Sequence, residues 1–181
     1  MAHLTTDELT ERVAALDVPP MDNGTITALV LRPEVNERKV VQSIRVKPNE
    51  GIEGDNYVAR GSSKTPDGGP HPEAQICMMR SDVLNVFSDG DEAKWPLAGD
   101  QMLVDFDLST DNLPTGTELG IGSATFRVVA KPHNGCQKFS ERYGLDARRF
   151  ANSDPVARYR GIYIIVLTEG EVSVGDTIAK I

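Results

Sequence analysis

The sequence predicts a mainly β domain of the α+β class: a closed or half-closed β-barrel with a few short helices beside it. Three observations predict this. Short runs rich in β-branched residues recur through the chain, turn chemistry separates nearly all of them, and helical patterning is confined to the N-terminus and three brief stretches. Closure is expected because many short strands in one domain otherwise leave exposed edges that pair with other chains. A chain of 181 residues is the size of one domain and long enough to bury a core.

A helix opens the chain. Thr5 with Glu8 three residues on makes a capping box, Leu4 and Leu9 form the hydrophobic staple across it, and Leu9, Val13 and Leu16 share one face. Pro19-Pro20 ends this helix and Asp22-Asn23-Gly24 turns the chain. Residues 1–20 are thus set apart as an N-terminal helical extension and 24–181 as the barrel. Strands are expected at 25–32, 39–47, 74–79, 101–108, 118–121, 124–130, 161–168 and 177–181. In the fourth, Met102, Val104, Phe106 and Leu108 alternate with Leu103, Asp105 and Asp107, as a strand with one buried face requires. Leu113-Pro114-Thr115-Gly116, 120–123 and 170–175 read as turns. Helices are expected at 81–88, capped by Ser81, at 137–143, with Gly144 just past its end, and at 146–150. Residues 61–72, with Pro66, Gly68, Gly69 and Pro70, read as a long mobile loop or lid.

Composition narrows the function classes. Acids number 27 against 19 bases, and a net charge of −8 is the wrong sign for a nucleic-acid binder. The longest apolar run, 162–167, is far shorter than the ~20 residues of a membrane-spanning helix, and no basic-then-apolar signal opens the chain. A soluble cytoplasmic protein is expected, with no nucleic-acid or membrane partner. Cys77 and Cys136 are too few for a disulfide scaffold and are read as reduced thiols. Walker, Gly-x-Gly-x-x-Gly, Cys-x-x-Cys and His-Glu-x-x-His motifs are absent.

Local charge is the most informative feature. Residues 131–160 hold seven bases, Lys131, Lys138, Arg142, Arg148, Arg149, Arg158 and Arg160, against three acids, a +4 island in an acidic chain. Guanidinium forks match oxyanions, so the island suits a phosphate or other small anion; the alternative is a solvated face. Within it, Cys136 follows an Asn-Gly turn and leads into a helix, with His133, Lys138 and Arg142 close in sequence. That setting favours a reactive thiolate, against the alternative of a small packed residue. Cys77, in Ile76-Cys77-Met78-Met79 with no base adjacent, is read as core. Two Gly-Asp pairs, Gly54-Asp55 and Gly99-Asp100, either shape a ligand pocket or make ordinary turns. His71, His133 and the two cysteines have no zinc-finger spacing.

Taken in order, 51–55 (Gly-Ile-Glu-Gly-Asp), 97–100 (Leu-Ala-Gly-Asp), the segment 113–122, 135–139 (Gly-Cys-Gln-Lys-Phe), 161–163 and 172–176 resemble the motifs of the MOSC domain, named for the C-terminal part of molybdenum-cofactor sulfurases. The resemblance runs from about Gly24 to Ile181. It implies a β-barrel, a pocket for the pterin-phosphate molybdenum cofactor or a related ligand, and a cysteine, here Cys136, that carries persulfide sulfur or ligates molybdenum. It also implies that pyridoxal phosphate belongs to a separate cysteine desulfurase acting as sulfur donor, not to this chain. Other stand-alone members resemble molybdenum-dependent reductases of N-hydroxylated compounds. This chain departs from those members at 71–76 and 101–108, where their usual pocket residues are replaced.

Three functions follow as expectations. The first is a sulfur carrier or cofactor-binding protein, with Cys136 as carrier or metal ligand, Arg142, Arg148, Arg149, Arg158 and Arg160 on the anion, and Gly54, Asp55, Gly99 and Asp100 shaping the pocket. The second is a module that binds a small anion without turnover. The third is a small esterase or transferase with Cys136 as nucleophile and His133 as base.

Overall fold

The structure is a computed structural model and describes residues 3–181. Its strands are β1 (Gly24–Leu31), β2 (Lys39–Val41), β3 (Ser43–Lys47), β4 (Gly51–Ile52), β5 (Ile76–Arg80), β6 (Met102–Asp105), β7 (Glu118–Ile121), β8 (Ala124–Pro132), β9 (Ile162–Thr168), β10 (Gly170–Ser173) and β11 (Thr177–Lys180). The helices are α1 (Thr6–Ala14), α2 (Tyr57–Arg60), α3 (Ser81–Phe87), α4 (Gln137–Tyr143) and α5 (Leu145–Ala151), with a 3₁₀ turn at Glu92–Ala98.

Seven strands close on themselves in the order β1-β11-β7-β8-β9-β5-β6, with β6 returning to β1 and β2 continuing outward from β1. This is the expected barrel. Neighbours run antiparallel except β5 and β6, which are parallel with Met78 opposite Met102. A parallel pair needs a crossover, and α3 with the 3₁₀ turn supplies it on the outside of the ring. The period of two then sorts each strand's side chains. Ile76, Met78, Met102 and Val104 point into the barrel core with Ile26, Phe106 and Phe126. Met79 and Leu103 point outward into a second apolar cluster with α1, α3, α4 and α5, through Leu9, Leu84, Phe139 and Ala147.

Most of the expected elements form, and the exceptions have physical causes. The run 39–47 is split into β2 and β3. The stretch 170–175, expected as a turn, holds β10, which pairs with β3 from Gly170 opposite Val46 to Ser173 opposite Ser43. Only Val172 of that strand enters the core, so it carries almost no apolar pattern. Ser81 is not the cap of α3: Arg80 takes that place, and Ser81 Oγ instead donates to the carbonyl of Val104, 3.2 Å away. The capping box of Thr5 and Glu8 forms as expected. Residues 61–72 are tied by their own hydrogen bonds, Ser62 N to the Gly68 carbonyl at 3.2 Å and Thr65 Oγ1 to the Gly69 carbonyl at 2.6 Å. No helix among the described residues is long and apolar enough to cross a membrane.

Candidate functional site

The site lies on the outer face of the barrel. On β5 and β9 the outward residues Cys77 and Tyr163 are antiparallel partners, and both line a cavity of about 310 Å³ closed in by α4 and the segment before it. β8 loses register between Val128 and Pro132, and the chain that follows lays His133 against Tyr163, with ring centroids 4.5 Å apart. Beneath them Asp100 is fully buried, with Oδ2 accepting from Arg160 Nη1 at 2.6 Å and Oδ1 3.5 Å from His133 Nδ1. Burial pushes the Asp100 carboxyl up from its ordinary value while Arg160 pulls it back; the short contact to a guanidinium argues that it is ionised. Burial, then Arg160 and Arg32, hold His133 well below its ordinary value, so it is a neutral imidazole at physiological pH.

A second buried pair sits alongside. Arg32 reaches Asp55 through Nε (3.0 Å) and Nη2 (2.9 Å) and gives its Nη1 to the Gly99 carbonyl at 3.1 Å. Gly99 has φ +84°, and a Cβ there would stand 3.3 Å from Arg38 Nη2, so glycine lets that guanidinium lie against the turn. Toward the opening come Arg38, Arg60, Lys64, Lys138 and Arg142, so that seven cations and no carboxylate line the cavity. Crowding shows at Arg38: burial, then the guanidiniums of Arg142 and Arg32, push it below its ordinary value. Five buried polar atoms of residues around the cavity lack partners: Arg38 Nε, Asn56 Oδ1, Asp100 Oδ1, His133 Nδ1 and Arg160 Nε.

The expected residues divide clearly. Cys136 caps α4, is exposed and lines the cavity with His133, Lys138, Arg142, Arg160 and Gly99. Lys138 Nζ donates to Asn36 Oδ1 at 3.2 Å and Arg142 to the carbonyl of Leu97. Gly54, Asp55 and Asp100 do not line it: the two aspartates stand behind, holding Arg32 and Arg160. Arg148, Arg149 and Arg158 are not part of it either. Arg149 is exposed and 3.7 Å from Asp146, Arg148 packs against Gly135, and Arg158 gives Nη1 to the carbonyls of Leu113 (2.8 Å) and Leu108 (3.3 Å). Arg148 and Arg149 lie on α5 and Arg158 in a turn beyond it, so the residues of one charge run face several directions.

Four cations were not legible as site residues. Arg32, Arg38, Arg60 and Lys64 come from the first third of the chain, where bases are interspersed with acids and form no run, and barrel closure brings them to α4. Cys77 is buried, as expected, yet its outward place on β5 also puts it in the cavity wall, where burial pushes its thiol up to about 11. Donor atoms of Cys77, Asp100 and His133 come within 4.8 Å of one another. With Arg160 on Asp100 and Arg32 beside it, that set is a poor place for a divalent cation and a good one for negative charge.

Comparison with known proteins agrees with this architecture. The YuaD protein of Bacillus subtilis superposes with a TM-score of 0.67 at 17% identity, over 86% of this chain and 94% of that one. YiiM from Escherichia coli gives 0.56 at 16% identity over 87% and 69%, and YiiM from Geobacillus stearothermophilus 0.56 at 15% over 87% and 75%. No curated protein matches the sequence. The MOSC domain profile matches residues 67–179, which include β5, the crossover, β6 to β10 and Cys136, and the chain therefore belongs to the MOSC domain family.

Proposed function

We propose that this protein binds a phosphate-bearing ligand of the pterin-phosphate type in the basic cavity and carries sulfur on Cys136. The observation that carries the reading is an exposed thiol in the wall of a cavity lined by seven cations and no carboxylate. The residues fit the molybdenum cofactor that the family implies: cations for its phosphate, partnerless buried polar atoms around the cavity, and a thiol as a ligand for the metal. When bound, that cofactor supplies a redox-active metal centre.

For sulfur loading, the Cys136 thiolate attacks the outer sulfur of a donor cysteine persulfide, the donor being a cysteine desulfurase. A Cys136 Sγ–S bond forms as the donor S–S bond breaks, and the donor cysteine leaves as a thiolate, with no net change in oxidation. The thiol proton goes to solvent. The lining cations stabilise the anionic persulfide, and buried Asp55 and Asp100 keep Arg32 and Arg160 in place.

Peptide mass after incubation with a cysteine desulfurase and cysteine tests this. One added sulfur is expected on Cys136, lost in Cys136→Ser and kept in Cys77→Ser. Equal loss in both variants would overturn the reading. Retention of anion binding without sulfur loading would leave a binding module.

A further inference from the structure

The cavity that holds Cys136 adjoins others. A second, of about 400 Å³, shares Arg60, Lys64, Ala74 and Tyr163 with the first and extends to Lys131, His71 and Tyr57. No carboxylate lines it either. The shared residues line both cavities. Arg60 ends α2, and Lys64 lies in the loop that the Ser62–Gly68 and Thr65–Gly69 hydrogen bonds tie together.

Charge balance shows what this trough is suited to hold. Arg32 and Arg160 are neutralised by Asp55 and Asp100. Arg38, Arg60, Lys64, Lys131, Lys138 and Arg142 have no carboxylate in ion-pair contact among the described residues. These six cations gather in one trough of a chain whose net charge is −8, while the rest of the chain carries 27 acids against 13 bases. A phosphate monoester brings a charge of roughly −2, which leaves most of them unanswered. The second cavity is also walled by rings, Tyr57, Tyr163 and His71, as a planar group beyond the anion would require.

We infer that the two cavities form one bipartite site for a ligand bearing two linked phosphates, of the nucleoside diphosphate class, with one phosphate beside Lys138 and Arg142 and the other between Arg60, Lys64 and Lys131. This rests on the reading of the cavity as a phosphate site and goes beyond the single phosphate of a pterin-phosphate ligand by adding a second. Bidentate and multiple charge-assisted bonds to the second phosphate supply the preference over a single one.

Calorimetric titration of the full chain with inorganic phosphate, pyrophosphate and ADP tests it. Pyrophosphate is expected to bind roughly tenfold more tightly than phosphate. Lys131→Ala should bring that ratio toward one, Lys138→Ala should weaken all three ligands, and Arg149→Ala, exposed and outside the trough, should change none. Tighter binding of ADP than of pyrophosphate would assign the ring-walled cavity to the base, and equal binding would assign the site to the diphosphate alone. Equal affinity for phosphate and pyrophosphate, or a ratio indifferent to Lys131→Ala, would overturn the inference. Sulfur loading of Cys136 is read separately, so a diphosphate preference without loading refutes the carrier reading alone, and loading without the preference refutes the bipartite site alone.

Discussion

Asp55 accepts from Arg32 Nε, Arg32 Nη2, the Arg32 backbone N–H and the Tyr57 N–H, all with its side chain wholly buried. Removing one member of such a pair leaves an uncompensated charge away from water. Asp55→Ala is therefore expected to cost about 3–5 kcal/mol in urea unfolding. Replacing Arg32 and Asp55 together by apolar residues should recover much of that cost, because the pair leaves no unpaired charge behind. The two cysteines separate by the same logic. Cys136 is exposed, whereas burial pushes the Cys77 thiol up to about 11. Alkylation of the native protein at neutral pH should label Cys136 alone. Cys77 should begin to react only as pH rises toward that value, because the thiolate is the attacking form.

At the scale of elements, the start of β9 depends on one backbone approach. Gly161 has φ +92°, and a Cβ there would fall 2.1 Å from the Met78 carbonyl oxygen of β5. Gly161→Ala is expected to destabilise by about 2–3 kcal/mol in thermal or urea unfolding, and to disturb Tyr163 two residues on. The N-terminal helix is the second case. Leu9 is fully buried in the cluster that α1 shares with α3 and α5. Leu9→Ala should cost about 2–5 kcal/mol in a single cooperative transition if α1 is part of the barrel's folding unit. A small, separate loss of helicity would make it an appended extension.

At the scale of the whole molecule, an acidic protein with a basic trough attracts and repels the same ligand at different ranges. Phosphate or pyrophosphate affinity should fall as salt rises from low to physiological ionic strength, since the trough's cations are screened within roughly 8 Å. Affinity that does not change with salt would place binding outside the trough. The barrel itself was legible in the sequence because strand alternation and turn residues are local signals: β6 shows its inward face in Met102 and Val104, and α1 its cap in Thr5 and Glu8. β10 was not legible, since one core residue, Val172, makes no pattern. Cys136, Lys138 and Arg142 could be read as neighbours because one short helix and its cap bring them together. The sequence by itself determined most of the barrel strands, the cap of α1 and the thiol at the head of α4, all set by contacts a few residues apart. Only the tertiary structure decided which cations share a cavity, because closing the ring brings Arg32, Arg38, Arg60 and Lys64 to Arg142 and Arg160 from far along the chain and turns Arg148, Arg149 and Arg158 away.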